Sequence, residues 1–238
     1  MDSVMAAERG RPRCFDTERA LDSALAVFWR HGYQGASMSE LTAAMGISKP
    51  SLYAAFGDKE SLYLKALERY AAVGIGHALP LLHDEPDARV AVEGFLRAMA
   101  ATLSNPALPG GCFVVNGAAD CGCDATPPAV DAALRKALQN GEEQLRTRLE
   151  RARRDGQLEA GVSVIGLAAF YSSVLAGMGV LSKGGAKQSR LDAVINVAMA
   201  AWPAALKSSV RKSPAQRRAT APTSGRQAKS ATTRSRGG

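Results

Sequence analysis

Apolar residues recur along this chain at intervals of three and four, the period of an amphipathic helix and not of a strand. Leu21, Ala24, Leu25 and Phe28 form the first such stripe, with Asp16 or Thr17 placed to start the helix and Gly32 to stop it. Met38, Leu41 and Met45 form a second. Ser37 precedes it and Glu40 follows three residues later, the spacing of a reciprocal capping box. Gly46 can take the left-handed conformation that ends this helix, and Ile47 fills the corner. Ser48 then restarts the chain as an N-cap, with Pro50 in the first turn, where its missing N–H costs nothing. Leu52 and Phe56 point inward, leaving Lys49, Ser51 and Tyr53 pointing out. Asp58 can cap a fourth helix carrying Tyr63, Ala66, Leu67 and Tyr70 on one face. Two short helices joined by a tight glycine turn, the second tipped with small polar and basic groups, make a helix-turn-helix suited to a DNA major groove. It is expected at about residues 37–56, within a three-helix unit and its exit helix spanning 14–74.

The same period continues through residues 75–207, expected to be a second helical domain. His77-Ala78-Leu79-Pro80 reads as the end of the connection. A helix follows from Asp87 to about Leu103, with Val92, Phe95, Leu96 and Met99 inward, and a short one opens at Cys112. A long charged helix is predicted from Pro128 to Arg154, an uncharged one over 162–182 and a last one over 192–206. The fold class is therefore all-α, with about nine helices. The uncharged stretch is long enough to cross a membrane. Its serines and glycines, and the lack of an aromatic belt, instead favour a helix buried on most sides, against the core and a second copy of the chain. No membrane partner is expected.

Charge changes the picture less than its total suggests. The net charge is +8. Residues 208–238 hold eight Lys and Arg and no acid, so the rest of the chain is neutral overall. Rich in Ser, Thr, Ala, Gly and Pro without an apolar stripe, the tail reads as a disordered basic segment. It is either a sequence-blind electrostatic arm or a tolerated extension. Residues 1–13 form a second basic arm, whose Arg11 and Arg13 are placed to reach a minor groove.

From Ala20 to Tyr70 the chain closely resembles the DNA-binding domain of the tetracycline-repressor (TetR) family of bacterial regulators. The resemblance rests on Ala24, Phe28, Gly32, Tyr33, Ser37 and Leu41, then on Ala44-Met45-Gly46-Ile47, Ser48-Lys49-Pro50-Ser51-Leu52-Tyr53, Phe56 and Asp58-Lys59-Glu60-Ser61-Leu62. It implies a DNA-binding domain followed by a ligand-binding and dimerisation domain, whose last two helices pair with those of a second copy. It also implies a cytoplasmic transcriptional regulator, more often a repressor, that leaves its operator when a small effector binds. Lys59 resembles the lysine by which the family anchors a DNA phosphate. Gly111-Cys112-Phe113-Val114-Val115-Asn116 resembles a segment that in one subgroup opens a helix lining the effector cavity.

Candidate DNA contacts are Ser37, Thr42, Ser48, Lys49, Pro50, Ser51, Tyr53 and Lys59, with Arg11 and Arg13 from the arm. Lys and the hydroxyls suit phosphate oxygens. The exposed helix lacks the Arg, Asn and Gln groups that read bases in bidentate fashion, so Lys49, Pro50, Thr42 and DNA shape carry much of the specificity. Candidate effector contacts are Phe95, Met99, Cys112, Phe113, Phe170 and Met178. Cys14, Cys112, Cys121 and Cys123 are expected to be thiols in a reducing compartment, since no signal peptide precedes them. A thiol or metal sensor using Cys112, Cys121 and Cys123 is the alternative regulator, although Cys-x-Cys lacks zinc-like spacing. An architectural DNA-binding protein working through the basic tail is the alternative outside regulation. No cofactor or resident metal is expected. No phosphate-cradling loop, H-E-x-x-H or G-x-S-x-G motif is present, so an enzyme is not expected.

Overall fold

The computed structural model describes residues 15–203. Arg11, Arg13, Cys14 and the basic tail therefore lie outside the described residues. Ten α-helices run in order: α1 Thr17–Gly35, α2 Met38–Met45, α3 Lys49–Phe56, α4 Lys59–Tyr70, α5 Leu79–His83, α6 Ala88–Leu103, α7 Phe113–Ala118, α8 Pro128–Arg154, α9 Val164–Lys183 and α10 Gln188–Ala200. A single π-helical turn, Ala71–Ile75, prolongs α4.

The caps explain where the helices begin. Asp16, Ser37, Ser48, Asp58, Asp87 and Ser163 each accept a backbone N–H of the helix they precede. The second half of the capping box at α2 is not made, because the Glu40 carboxylate turns to His31 Nε2 at 3.1 Å. Gly46 ends α2 at φ 64°, ψ 29°, and the Ile47 N–H returns to the Thr42 carbonyl at 3.2 Å. Gly32 breaks α1 at φ 70°, ψ −177° without ending it, since the chain completes another turn to Gly35. The helix count exceeds the expected nine by α5. Pro80, which reads as a stop, sits in the first turn of that short helix, where no N–H is needed.

Two apolar cores form. One gathers Phe95, Leu96 and Met99 of α6, Leu145 and Leu149 of α8, and Tyr171 and Met178 of α9. The other is centred on Phe28 and Trp29 of α1, Leu41, Leu52, and Tyr63 and Tyr70 of α4. This second core also takes Phe113 and Val114 from α7, and Val130 and Leu134 from α8. The helix-turn-helix unit thus completes its interior with residues beyond position 75.

By length and composition α9 is apolar enough to cross a membrane. One face, with Val164, Ala168, Tyr171 and Met178, packs inward. Ile165 and Val180 on the other are 69% and 62% exposed.

Candidate DNA-recognition surface and effector cavity

Leu52 and Phe56 are buried and fix the rotation of α3, so Lys49, Pro50 and Tyr53 face solvent, Tyr53 at 46% exposure. Ser48 caps α3 through Ser51 N (3.3 Å), and the two hydroxyls meet at 2.8 Å. A phosphate oxygen arriving at this helix start would meet hydroxyls already oriented, the Lys49 ammonium and the positive end of the helix dipole. Ser37 stands exposed at the start of α2, its hydroxyl 3.2 Å from that of Ser39. Thr42 is different. Its hydroxyl donates to the carbonyls of Met38 and Ser39, both at 3.0 Å, which leaves its methyl group and a lone pair for DNA.

Lys59, in the first turn of α4, sits with its ammonium 4.6 Å from the centre of the Tyr33 ring. Burial lowers its pKa and also raises that of Tyr33, with Glu60 and Asp58 adding to the latter. The ring holds the cation at a defined place near the recognition helix. Sequence reasoning missed this role, although Tyr33 stands among the residues that carry the family resemblance. Asp58, capping α4 through Ser61 N at 2.8 Å, has a carboxyl below its ordinary pKa because of that bond.

The expected effector contacts do not share one cavity. Phe95, Met99 and Met178 are packed into the C-terminal core. Phe113 lies in the other core, in ring contact with Trp29, Tyr63 and Tyr70. Phe170 is 41% exposed and lines a shallow apolar groove with Val174, Val194 and Val197. Cys112 is half-buried as N-cap of α7 and receives the Tyr70 hydroxyl at 3.3 Å. Burial pushes up the Cys121 thiol, with Asp131 adding to it, and Cys123 is exposed. Among the described residues no cluster of His, Cys, Asp and Glu could hold a metal ion.

The chain instead forms a cavity of about 460 Å³ between α4, the π turn, α5, α7 and α8. Leu64, Leu67, Ile75, Leu79 and Val114 supply apolar wall, and Glu68, Lys136, Asn140 and Gln144 the polar groups. Val114 belongs to the segment likened above to one that opens a cavity-lining helix; the others were not expected at a cavity, Leu67 reading as part of the inward stripe of α4.

Comparison with known proteins agrees with this geometry. Residues 20–66 match the family of bacterial regulatory proteins, tetR family, and residues 89–198 match the tetracyclin repressor-like C-terminal domain. The chain is 31% identical over 200 residues to the HTH-type transcriptional repressor ComR of Escherichia coli, covering 84% of this chain and 94% of that protein. It is 33% identical over 108 residues to the repressor BdcR of the same organism, covering 45% of this chain and 55% of that one. Among solved structures, a cysteine-substituted TetR family regulator, CifR, in complex with 26-base-pair operator DNA is 40% identical. It superposes with a TM-score of 0.75 over 81% of this chain and all of that one. The chain belongs to the TetR family and is a DNA-binding transcriptional regulator, not an enzyme.

Proposed function

We propose that the protein is a dimeric cytoplasmic repressor that reads its operator through α3 and releases it when a small molecule binds the helical body. The observation that carries the DNA half is the exposed Lys49-Pro50-Ser51-x-Tyr53 edge of α3, held outward by buried Leu52 and Phe56. One such edge reads a half-site, so two copies related by two-fold symmetry are needed for an operator. The exposed apolar faces of α9 and α10 supply the surface for that pairing. Lys59, steadied on Tyr33, anchors the backbone beside each half-site. The resemblance to CifR, whose complex contains operator DNA, supports this reading.

An operator selected from a random duplex library tests it by fluorescence anisotropy. Lys49→Ala and Tyr53→Ala are each expected to weaken specific binding about tenfold, the loss of a contact of roughly 1–3 kcal/mol. Lys59→Ala should weaken all sequences alike and reduce the slope of log affinity against log salt by about 0.9 per protomer. If Lys49→Ala and Tyr53→Ala both bind like wild type, α3 is not the recognition helix. Specific binding should survive removal of residues 208–238; its disappearance would favour the architectural reading.

A thiol-sensing reading is favoured by one contact, the Tyr70 hydroxyl on the Cys112 sulfur. It joins the end of α4 to the start of α7, so a sulfur carrying an added group could not keep the bond unchanged. Hydrogen peroxide should then lower operator affinity in the wild type and not in Cys112→Ser. Equal responses in both would end this reading.

A further inference from the structure

We propose that α3 selects its operator through thymine C5-methyl groups, which meet the methyl of Ala54 and the ring of Pro50 along the outermost line of the helix. This rests on the operator-binding reading above and gives it a chemistry of sequence selection. Ala54 is not among the DNA contacts expected from the sequence. Leu52 and Phe56, 0% and 3% exposed, fix which line of α3 faces out. At about 100° per residue, the line opposite their midpoint runs through Ala54, and Pro50 lies about 40° from it. Both residues are exposed, and four positions apart they share one face of the helix.

Hydrogen-bonding side chains stand off that line. Tyr53 lies about 100° to one side, and Lys49 further round on the same flank. Ser51 lies about 60° to the other side, but its hydroxyl meets that of Ser48 at 2.8 Å, at the start of the helix. Ala55 beyond it adds only another exposed methyl. The polar groups on the flanks suit the phosphates along the groove edges. Between them, the outermost line carries neither a side-chain donor nor an acceptor. Thr42 repeats the pattern on α2, where its hydroxyl is committed to the Met38 and Ser39 carbonyls at 3.0 Å, leaving the methyl.

In the major groove every base pair presents hydrogen-bonding groups, and thymine alone adds an apolar one, its C5-methyl. A cytosine amine, or the N7 and O6 of a guanine, pressed against Ala54 would give up water and gain no partner. A thymine methyl pressed there leaves water favourably. Selection is then made by penalty as much as by attraction. Ala54 suits the part by size as well. Its single methyl lets the helix come close to the base edges, where a longer side chain would hold it off.

The test uses the full-length protein and an operator selected from a random duplex library, resynthesised with deoxyuridine at each thymine in turn. Uracil pairs as thymine does and lacks only the methyl. At the thymines that face Ala54 and Pro50, uracil is expected to lower affinity about fourfold, the increment for burying one such carbon, and about sixteenfold when both half-sites are changed. Cytosine at the same place should bind more weakly still, and 5-methylcytosine should recover part of the loss. In Ala54→Gly the uracil penalty at the thymine it covers should fall below twofold. Comparing the two duplexes on one variant cancels any effect of glycine on α3 itself. Ala54→Gln, which keeps a good helix former and adds a bidentate group, should select adenine at that position instead. A selected half-site without thymine, thymines that all tolerate uracil within twofold, a full uracil penalty in Ala54→Gly or an unchanged preference in Ala54→Gln overturns the inference and leaves operator binding through α3 intact. Failure to select any operator, or wild-type binding by both Lys49→Ala and Tyr53→Ala, removes instead the reading on which it rests.

Discussion

Val197→Arg is expected to make the protein monomeric and to weaken operator binding by about 10²–10⁴-fold, the range set by loss of a second linked contact. Val197 is 74% exposed on α10 and lines the same apolar groove as Phe170, Val174 and Val194. A large apolar face left open on a single chain is a surface for a partner. In a symmetric pair each substitution counts twice, and an arginine buried there without a counter-charge is strongly unfavourable. Arg190 lines the groove as well, so the new charge would also face a like one. Sedimentation at several concentrations reads the association, and anisotropy reads the affinity. The inward face of α10, with Leu191 and Ile195, is untouched, so the fold of each protomer should persist. A dimer of wild-type affinity would show that the two copies meet elsewhere.

What the sequence alone disclosed follows the range of the forces involved. Ser37, Ser48 and Asp58 cap helices whose apolar stripes begin within a turn, so α2, α3 and the start of α4 are legible from a few neighbouring residues. The bounds of α8, Pro128 to Arg154, come out as the charge pattern and Asp155-Gly156 suggest. Contacts made at long range were hidden. Phe113 reads as a cavity-lining residue of the second domain, yet it closes the core of the first, because which partners a buried ring meets depends on how distant segments pack. Phe95, Met99 and Met178 illustrate the same limit: filling a core and lining a cavity demand the same residue types. The π turn had no signature either. Ala71–Ile75 reads as more of α4, and its two meaningful glycines, Gly74 and Gly76, are explained only by the Tyr70 ring and the Ala72 carbonyl beside them. Glu40 shows that a local rule can yield to a neighbouring side chain, its carboxylate meeting His31 Nε2 instead of the Ser37 N–H.

Phe113→Ala is expected to destabilise the protein by about 3–5 kcal/mol, the cost of removing a buried aromatic ring and leaving a cavity. The ring is 1% exposed and packs against three others. Its centroid is 5.2 Å from that of Tyr63 and 5.6 Å from that of Tyr70, with Trp29 at 6.4 Å. Phe28 meets Tyr63 edge-on at 4.9 Å and extends the cluster toward the helix-turn-helix. The space cannot easily close from the α7 side. Gly117, one turn further on, already stands so near that a Cβ would be 2.6 Å from the Tyr63 hydroxyl. That hydroxyl is buried without a hydrogen-bond partner among the described residues, and burial raises its pKa. A void beside it would therefore admit water to an unsatisfied group, which offsets part of the loss and sets the lower end of the range. For a chain of this size the midpoint of thermal unfolding should fall by roughly 6–20 °C. Phe113→Leu, which keeps most of the apolar volume, should recover much of it. Because the ring joins α7 to α1 and α4, operator affinity in Phe113→Ala should also decline at temperatures where the protein remains folded. A variant as stable as wild type would mean that the helix-turn-helix unit holds its own core, and that α7 merely rests against it.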